Sequence, residues 1–235
     1  MSYLSWISDE DLGRSVQNLM GIALRSIKDS EEKFNRNVID PFSALFQILG
    51  FGLNHDSWLI SEKTRQAQKT LQNHTGDFHQ NILGSVKGWD NLSTGNEMDL
   101  VSHDQKVLAE LKNKHNTVKG SDLSGLYKSM ENLVMNKSSV YKGYTAYYVT
   151  IIPKKPERSV DFFTPSDKST GSRLASNERI KVIDGASFYS LVTGEEDALQ
   201  NLFEVIPKVA VEKLSIGLNA NDQDSLKKYF KEAFG

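Results

Sequence analysis

The segment that most constrains this chain is NEMDLVSHDQKVLAELKNKHN, residues 96–116. Apolar and polar positions alternate on either side of the polar stretch 102–106, the pattern of two short strands joined by a turn. Successive side chains of a strand point to opposite faces. Glu97, Asp99 and Val101 therefore share one face of the first strand, and Glu110, Lys112 and Lys114 share one face of the second. A hairpin built this way brings Asp99, Glu110 and Lys112 onto one edge. After it come Leu123, Leu126, Tyr127, Met130, Leu133 and Val134 at helical spacing, and then YTAYYVTII, residues 144–152, a β-branched and aromatic run stopped by Pro153. The order is strand, strand, helix, strand. Residues 119–143 are long enough for a crossover that sets the last strand parallel to its neighbour. The expected fold class is α/β, a mixed sheet flanked by helices.

The flanks read more coarsely. Ser8 precedes three acidic residues, with Leu12, Val16, Leu19, Ala23 and Ile27 at near-helical spacing. Asp40 and Pro41 place a cap and an N1 proline before a second helix, FSALFQIL. Ser61 can cap a third, from Glu62 to about Asn73 and ending near Gly76; residues 76–95 read as loop with short structure. Residues 154–178 hold two prolines and five basic side chains and read as an extended excursion. RIKVID, residues 179–184, returns as a strand. Two helices close the chain, one from about Glu195 to Val211 interrupted at Pro207, the other from about Asp222 to Ala233. One domain over 1–235 is expected: a helical part to 75, a core over 76–153, and the excursion with C-terminal helices over 154–235.

Composition limits the chemistry. The 235 residues include no cysteine, which excludes disulfides and thiolate zinc sites and is compatible with a reducing cytosol. The first residues lack the basic and apolar succession of a signal peptide, and the apolar runs 43–53 and 144–153 are too short to span a bilayer. A cytoplasmic protein without a membrane partner is expected. The net charge of −2 hides an uneven distribution, since residues 106–142 carry +4 and 154–182 carry +3. A basic middle within an acidic protein can follow a phosphate backbone while the molecule stays soluble.

Two carboxylates and an ammonium on one edge suit metal-assisted hydrolysis of a phosphodiester. A cation there neutralises charge developing on the phosphate oxygens and acidifies an attacking water. Mg²⁺ favours a few carboxylates, water and substrate oxygens. Asp99 and Glu110 are the expected ligands, with the main-chain carbonyl of Leu111 as a third. Lys112 is expected to orient or deprotonate the water, or to stabilise transition-state charge. An acid followed two positions later by lysine recurs at Glu31 and at Asp104, so the pattern alone says little. Glu31 lies in a helical stretch where such pairs do not face each other, and Asp104 in the turn. Only Glu110 and Lys112 combine a strand with a second acid on the preceding strand.

Asp99, ten intervening residues and Glu110-Leu111-Lys112 resemble the PD-(D/E)xK nuclease superfamily, with Met98 in place of the motif's proline. DPFSALF, GDFHQNILGSVKGW, NEMDLV, AELKNKHNT and VIDGASFYSLVTG further resemble a family of type II restriction endonucleases that cut GGNCC- or GGWCC-like sites. The resemblance implies a Mg²⁺-dependent endonuclease cutting both strands of a short palindrome in double-stranded DNA as a homodimer. It also implies a cognate methyltransferase that shares the site, and Asp99, Glu110 and Lys112 as catalytic residues. Glu62 matches the place where many such nucleases keep another acid, although a negative charge favourable at a helix N-terminus accounts for it equally. Arginine and lysine read guanine in the major groove, so Lys155, Arg158, Lys168, Arg173 and Arg179 are candidate DNA contacts, with Lys114 at a phosphate. A structure-specific repair nuclease and an inactive DNA-binding protein are the alternative readings.

Overall fold

The computed structural model describes residues 2–235 apart from 33, 93, 94, 168 and 169, and only the backbone of Asn35 and Ser121. Helix α1 (Asp9–Glu32) starts where Ser8 Oγ accepts the Asp11 N–H at 3.0 Å, with three acids in its first turn favouring the positive end of the helix dipole. A 3₁₀ turn (Phe34–Arg36) leads to α2 (Pro41–Phe51), capped by the Asp40 carboxylate and closed by Gly52 in the left-handed region at φ 64°.

Helix α3 (His55–Gly84) departs from the sequence expectation at both ends. It begins not at Ser61 but behind Asn54, whose side chain accepts the Ser57 N–H at 2.9 Å, and it runs through Gly76 to Gly84. A glycine inside a helix costs about 1 kcal/mol relative to alanine. Burial of Trp58, Ala67, Phe78, Ile82 and Leu83 along the same helix outweighs that cost. The expected boundary at residue 75 therefore falls inside a continuous helix.

The sheet follows: β1 (Asp90–Asn91), β2 (Leu100–Ser102), β3 (Val107–Lys114), then α4 (Gly120–Met135) and β4 (Thr145–Ile152). Next come β5 (Val160–Phe162), β6 (Ile180–Asp184), α5 (Gly185–Thr193), α6 (Ala198–Leu214) and α7 (Ala220–Phe234). The order across the sheet is β1-β2-β3-β4-β6-β5. β3, β4 and β6 are parallel and the other pairings antiparallel, a mixed sheet as expected. Part of the expected excursion is thus the edge strand β5. Helix α6 runs unbroken through Pro207, because the buried Leu199, Leu202, Val209 and Ala210 hold both halves to the core.

Apolar clusters cover both faces. On one, Ala109, Leu111, Val149 and Ile151 pack under α1, α3, α5 and α6. On the other, Leu108, Ala146, Tyr148 and Ile180 pack under α4 through Tyr127, Met130 and Val134. A strand buried on both faces has its register strongly specified. A slip of one residue along β3 would push Glu110 and Lys112 into the cluster that Ala109 and Leu111 occupy.

Candidate active site

The end of β2 and the middle of β3 build the candidate site. Leu100 lies opposite Ala109 in the antiparallel register, so Asp99, one residue before β2, faces Glu110. Its main chain is held in place by the Asp99 N–H donating to the Ala109 carbonyl at 2.9 Å. Its side chain is held too, because Oδ2 accepts the Leu111 N–H at 2.7 Å. Glu110 and Lys112, two apart on one face of β3, meet through Lys112 Nζ donating to Glu110 Oε1 at 2.6 Å. The Asp99 and Glu110 carboxyls are within hydrogen-bonding reach of each other.

The electrostatics follow from that crowding. Burial is the largest cause lifting the Asp99 pKa; the Leu111 N–H and the Lys112 ammonium hold it back and the charge of Asp77 adds to it. Burial likewise lifts Glu110, the neighbouring Asp99 charge adds to it, and Lys112 opposes. Two half-buried acids in contact cannot both ionise freely. The pair holds a proton above the ordinary carboxylate range unless positive charge relieves it. One lysine already does so in part, and a divalent cation would do so more fully.

The donor set fits such a cation. The N–H and C=O of one strand residue point to the same edge. The Leu111 N–H is turned toward Asp99, so its carbonyl faces the same side. Among the described residues no group of three or more His, Asp or Glu side chains is gathered at metal-binding distances. Two carboxylates and a carbonyl on one edge suit a cation that keeps further places for water and substrate, as Mg²⁺ does.

Glu62 stands apart from this cluster. It lies inside α3, not at its start, and only 7% of it is exposed. Arg65 donates to both its oxygens at 2.6 Å and Gln66 donates at 3.0 Å, which lowers its pKa. It lines a cleft of about 910 Å³ shared with Arg36, Asp40 and Lys69, to which Asp99, Glu110 and Lys112 do not contribute. The acid of α3 whose charge reaches Asp99 is Asp77, about 22 Å along the helix axis from Glu62 at 1.5 Å per residue. No spacing in the sequence singles out Asp77, which lies in the segment read as loop. Tyr148, opposite Glu110 on β4, is a second residue the sequence did not reveal. Its buried hydroxyl has no hydrogen-bond partner among the described residues, and burial, with the nearby Glu110 charge, pushes its pKa up to about 12.

The basic candidates divide between the two ends of the sheet. Lys114 pairs with Ile152 at the C-terminal ends of β3 and β4, and Lys155 follows close behind. Arg158 donates to the Glu196 carbonyl at 2.6 Å, and the adjacent Ser159 N–H reaches Asp184, the last residue of β6, at 2.7 Å. Arg179 is at the opposite end. Its carbonyl accepts the Ala146 N–H at 2.7 Å and its guanidinium donates to the Gly143 carbonyl. That is about 16 Å from Lys112 along the strand direction, five residues at 3.3 Å each. Arg173 bridges to Ser166 in a segment tied to α4 by the Lys128–Asp167 ion pair at 3.0 Å and the Tyr127 hydroxyl on the Ala175 carbonyl at 2.7 Å. Lys168 lies outside the described residues.

A six-stranded mixed sheet flanked by helices, with two acids and a lysine meeting on its central strands, defines the restriction-endonuclease-like class of core. Comparison with known sequences places the chain within that class. The model of the family described as Eco47II restriction endonuclease matches residues 4–215, and the chain belongs to this family of type II restriction endonucleases. It is 48% identical to the type II restriction enzyme Eco47II of Escherichia coli over 240 residues, covering 100% of both chains. It is 34% identical to the type II restriction enzyme Sau96I of Staphylococcus aureus over 209 residues, covering 87% of this chain and 78% of the relative. Among the described residues no helix is long and apolar enough to cross a membrane.

Proposed function

We propose that this endonuclease hydrolyses both strands of a short palindromic, GGNCC-like site in double-stranded DNA, with Mg²⁺ as cofactor and Asp99, Glu110 and Lys112 as its catalytic set. The convergence of those three side chains supports the reading most strongly. Bound there, Mg²⁺ would neutralise charge on the scissile phosphate and acidify water. Asp99 and Glu110 would hold it, together with the Leu111 carbonyl. Lys112 donates to Glu110, which keeps its ammonium beside the carboxylates, where a phosphate held by the cation would lie. There it orients the attacking water and stabilises the charge that builds as the P–O bond to the leaving sugar oxygen breaks. The Leu111 N–H fixes the Asp99 rotamer, so the carboxylate need not reorganise during reaction.

Lys114, Lys155 and Arg158, at the C-terminal ends of the parallel strands, are the basic residues best placed to hold DNA against this site. A cytoplasmic enzyme accompanied by a methyltransferase of the same site completes the reading. A two-fold DNA site calls for a two-fold protein that brings one active site to each strand. The test is digestion of a sequenced, unmethylated plasmid with Mg²⁺, beside Asp99→Ala and an EDTA control, with sequencing of the fragment ends. Discrete fragments sharing one palindrome and absent from both controls are expected. A smear without sequence preference would replace this reading with that of a structure-specific nuclease.

A further inference from the structure

Among the described residues three buried side-chain polar atoms have no hydrogen-bond partner: the ring nitrogens of Trp6 and Trp89 and the hydroxyl of Tyr148. The two indoles belong to the apolar cluster under α1, α3, α5 and α6. Tyr148 is on the other face of the sheet, in the strand next to the carboxylate pair. In the parallel register of β3 and β4 it lies opposite Glu110, and Thr150 lies opposite Lys112. Neighbouring strands are about 4.8 Å apart, so the phenol and the Glu110 side chain rise from the sheet side by side. The ring is fixed by its packing. Only 4% of Tyr148 is exposed, and its ring centroid lies 4.9 Å from that of Phe163, at 33°, within the cluster that holds Met130 and Val134. That packing accounts for the ring but not for the hydroxyl. A phenylalanine would fill the same volume without burying an unpaired polar group. Tyr127 of the same cluster shows the ordinary arrangement, its hydroxyl donating to the Ala175 carbonyl at 2.7 Å. The Tyr148 hydroxyl is held in place without a structural use, and the charge it feels is that of Glu110.

We propose that Tyr148 is a positioning residue of the catalytic set, its hydroxyl donating to the Glu110 carboxylate once that carboxylate turns to hold a cation. The inference rests on the reading of Asp99 and Glu110 as the cation's ligands. In the structure Glu110 Oε1 accepts from Lys112, and the same carboxyl meets Asp99. The two oxygens of a carboxylate offer about four lone-pair sites. Lys112 uses one and another serves a cation, so a third is open to a neighbouring donor. A phenol is a neutral donor, so it fixes the carboxylate without adding a charge that competes with the cation. Carboxylates that ligate metals are ordinarily held by such hydrogen bonds from behind. With phenylalanine at 148, Lys112 would be the donor left to fix Glu110, and the broad terminal torsion of a glutamate would be less restrained.

The test compares full-length wild type, Tyr148→Phe and Tyr127→Phe. Mg²⁺ is titrated calorimetrically into each protein, and plasmid cleavage is followed as a function of Mg²⁺ concentration. Tyr148→Phe is expected to bind Mg²⁺ about 10-fold more weakly and to need about 10-fold more of it for half-maximal cleavage, with an unchanged circular dichroism spectrum. Tyr127→Phe, which gives up the bond to Ala175, should lose thermal stability and keep the Mg²⁺ dependence of wild type. Should Tyr148→Phe fail to fold, wild type and Tyr127→Phe decide by ultraviolet difference spectroscopy. Adding Mg²⁺ should displace a tyrosine absorption in both as the Tyr148 hydroxyl gains a charged acceptor, and no displacement overturns the proposal. A folded Tyr148→Phe that binds and uses Mg²⁺ as wild type does also overturns it, and leaves Asp99, Glu110 and Lys112 as read. A wild type that takes up no Mg²⁺ and cuts no DNA removes the cation site itself, and the role of Tyr148 with it.

Discussion

Replacing Asp99 with asparagine should stabilise the cation-free protein while abolishing cleavage. Two carboxylates in hydrogen-bonding contact repel by about 4 kcal/mol at 4 Å and an effective dielectric of 20. Lys112, 2.6 Å from Glu110, and the shared proton return part of that. The asparagine oxygen can still accept the Leu111 N–H, though without charge assistance. The net expectation is a gain of about 1–2 kcal/mol near pH 8, equivalent to roughly 3–6 °C in Tm for a chain of this size. Both acids have folded pKa values raised above their unfolded ones. Their contribution to stability is therefore fully present below the ordinary carboxylate range and is lost as pH rises through the raised folded values. The variant's advantage should accordingly be near zero at about pH 4 and grow toward pH 8. Added Mg²⁺ should reverse the order, because a ligand at 100 times its Kd stabilises the form that binds it by about 2.7 kcal/mol. Differential scanning calorimetry across pH, with EDTA and with Mg²⁺, reads each part. A variant less stable than wild type at pH 8 in EDTA would refute the reasoning, since the Leu111 hydrogen bond would then outweigh the repulsion.

Lys112→Ala should lose cleavage and keep sequence-specific binding in a Ca²⁺ gel-shift assay; retained cleavage would remove Lys112 from the catalytic set. Lys155→Ala and Arg158→Ala should each lower the salt dependence of DNA binding by about one ion, whereas Arg179→Ala, at the other end of the sheet, should leave it unchanged. Tyr148→Phe should be neutral or stabilising by about 1 kcal/mol in urea unfolding, because the hydroxyl it removes is buried without a partner among the described residues. Gly185→Ala should cost about 2 kcal/mol or more, since its Cβ would fall on the Ile151 carbonyl and within 2.7 Å of the Ile151 Cα; an unchanged Tm would show that α5 can shift away from β4.

The candidate cluster was legible because it is local. Asp99, Glu110 and Lys112 are gathered by one hairpin, and strand alternation acts between residues two apart. The same argument anticipated the crossover through α4 to a parallel β4, which depends on connection length and an uninterrupted β-branched run. The reading failed where distant packing overrides local signals. Gly76 and Pro207 look like helix ends and are not, because burial on the sheet holds α3 and α6 continuous. The family resemblance offered Glu62 as a further acid near the site, whereas the acid of α3 whose charge reaches Asp99 is Asp77.

From sequence alone came the hairpin, the identity of the acid, acid and lysine set, the crossover and the basic middle of the chain, all carried by side-chain period, turn chemistry and charge. Tertiary structure alone decided which basic residues share an end of the sheet with that set, that Glu62 is committed to Arg65, that Tyr148 backs Glu110, and that α2 stands uncovered. Those outcomes depend on which elements pack together, and burial, unlike strand alternation, is a property of contacts between residues far apart in the chain.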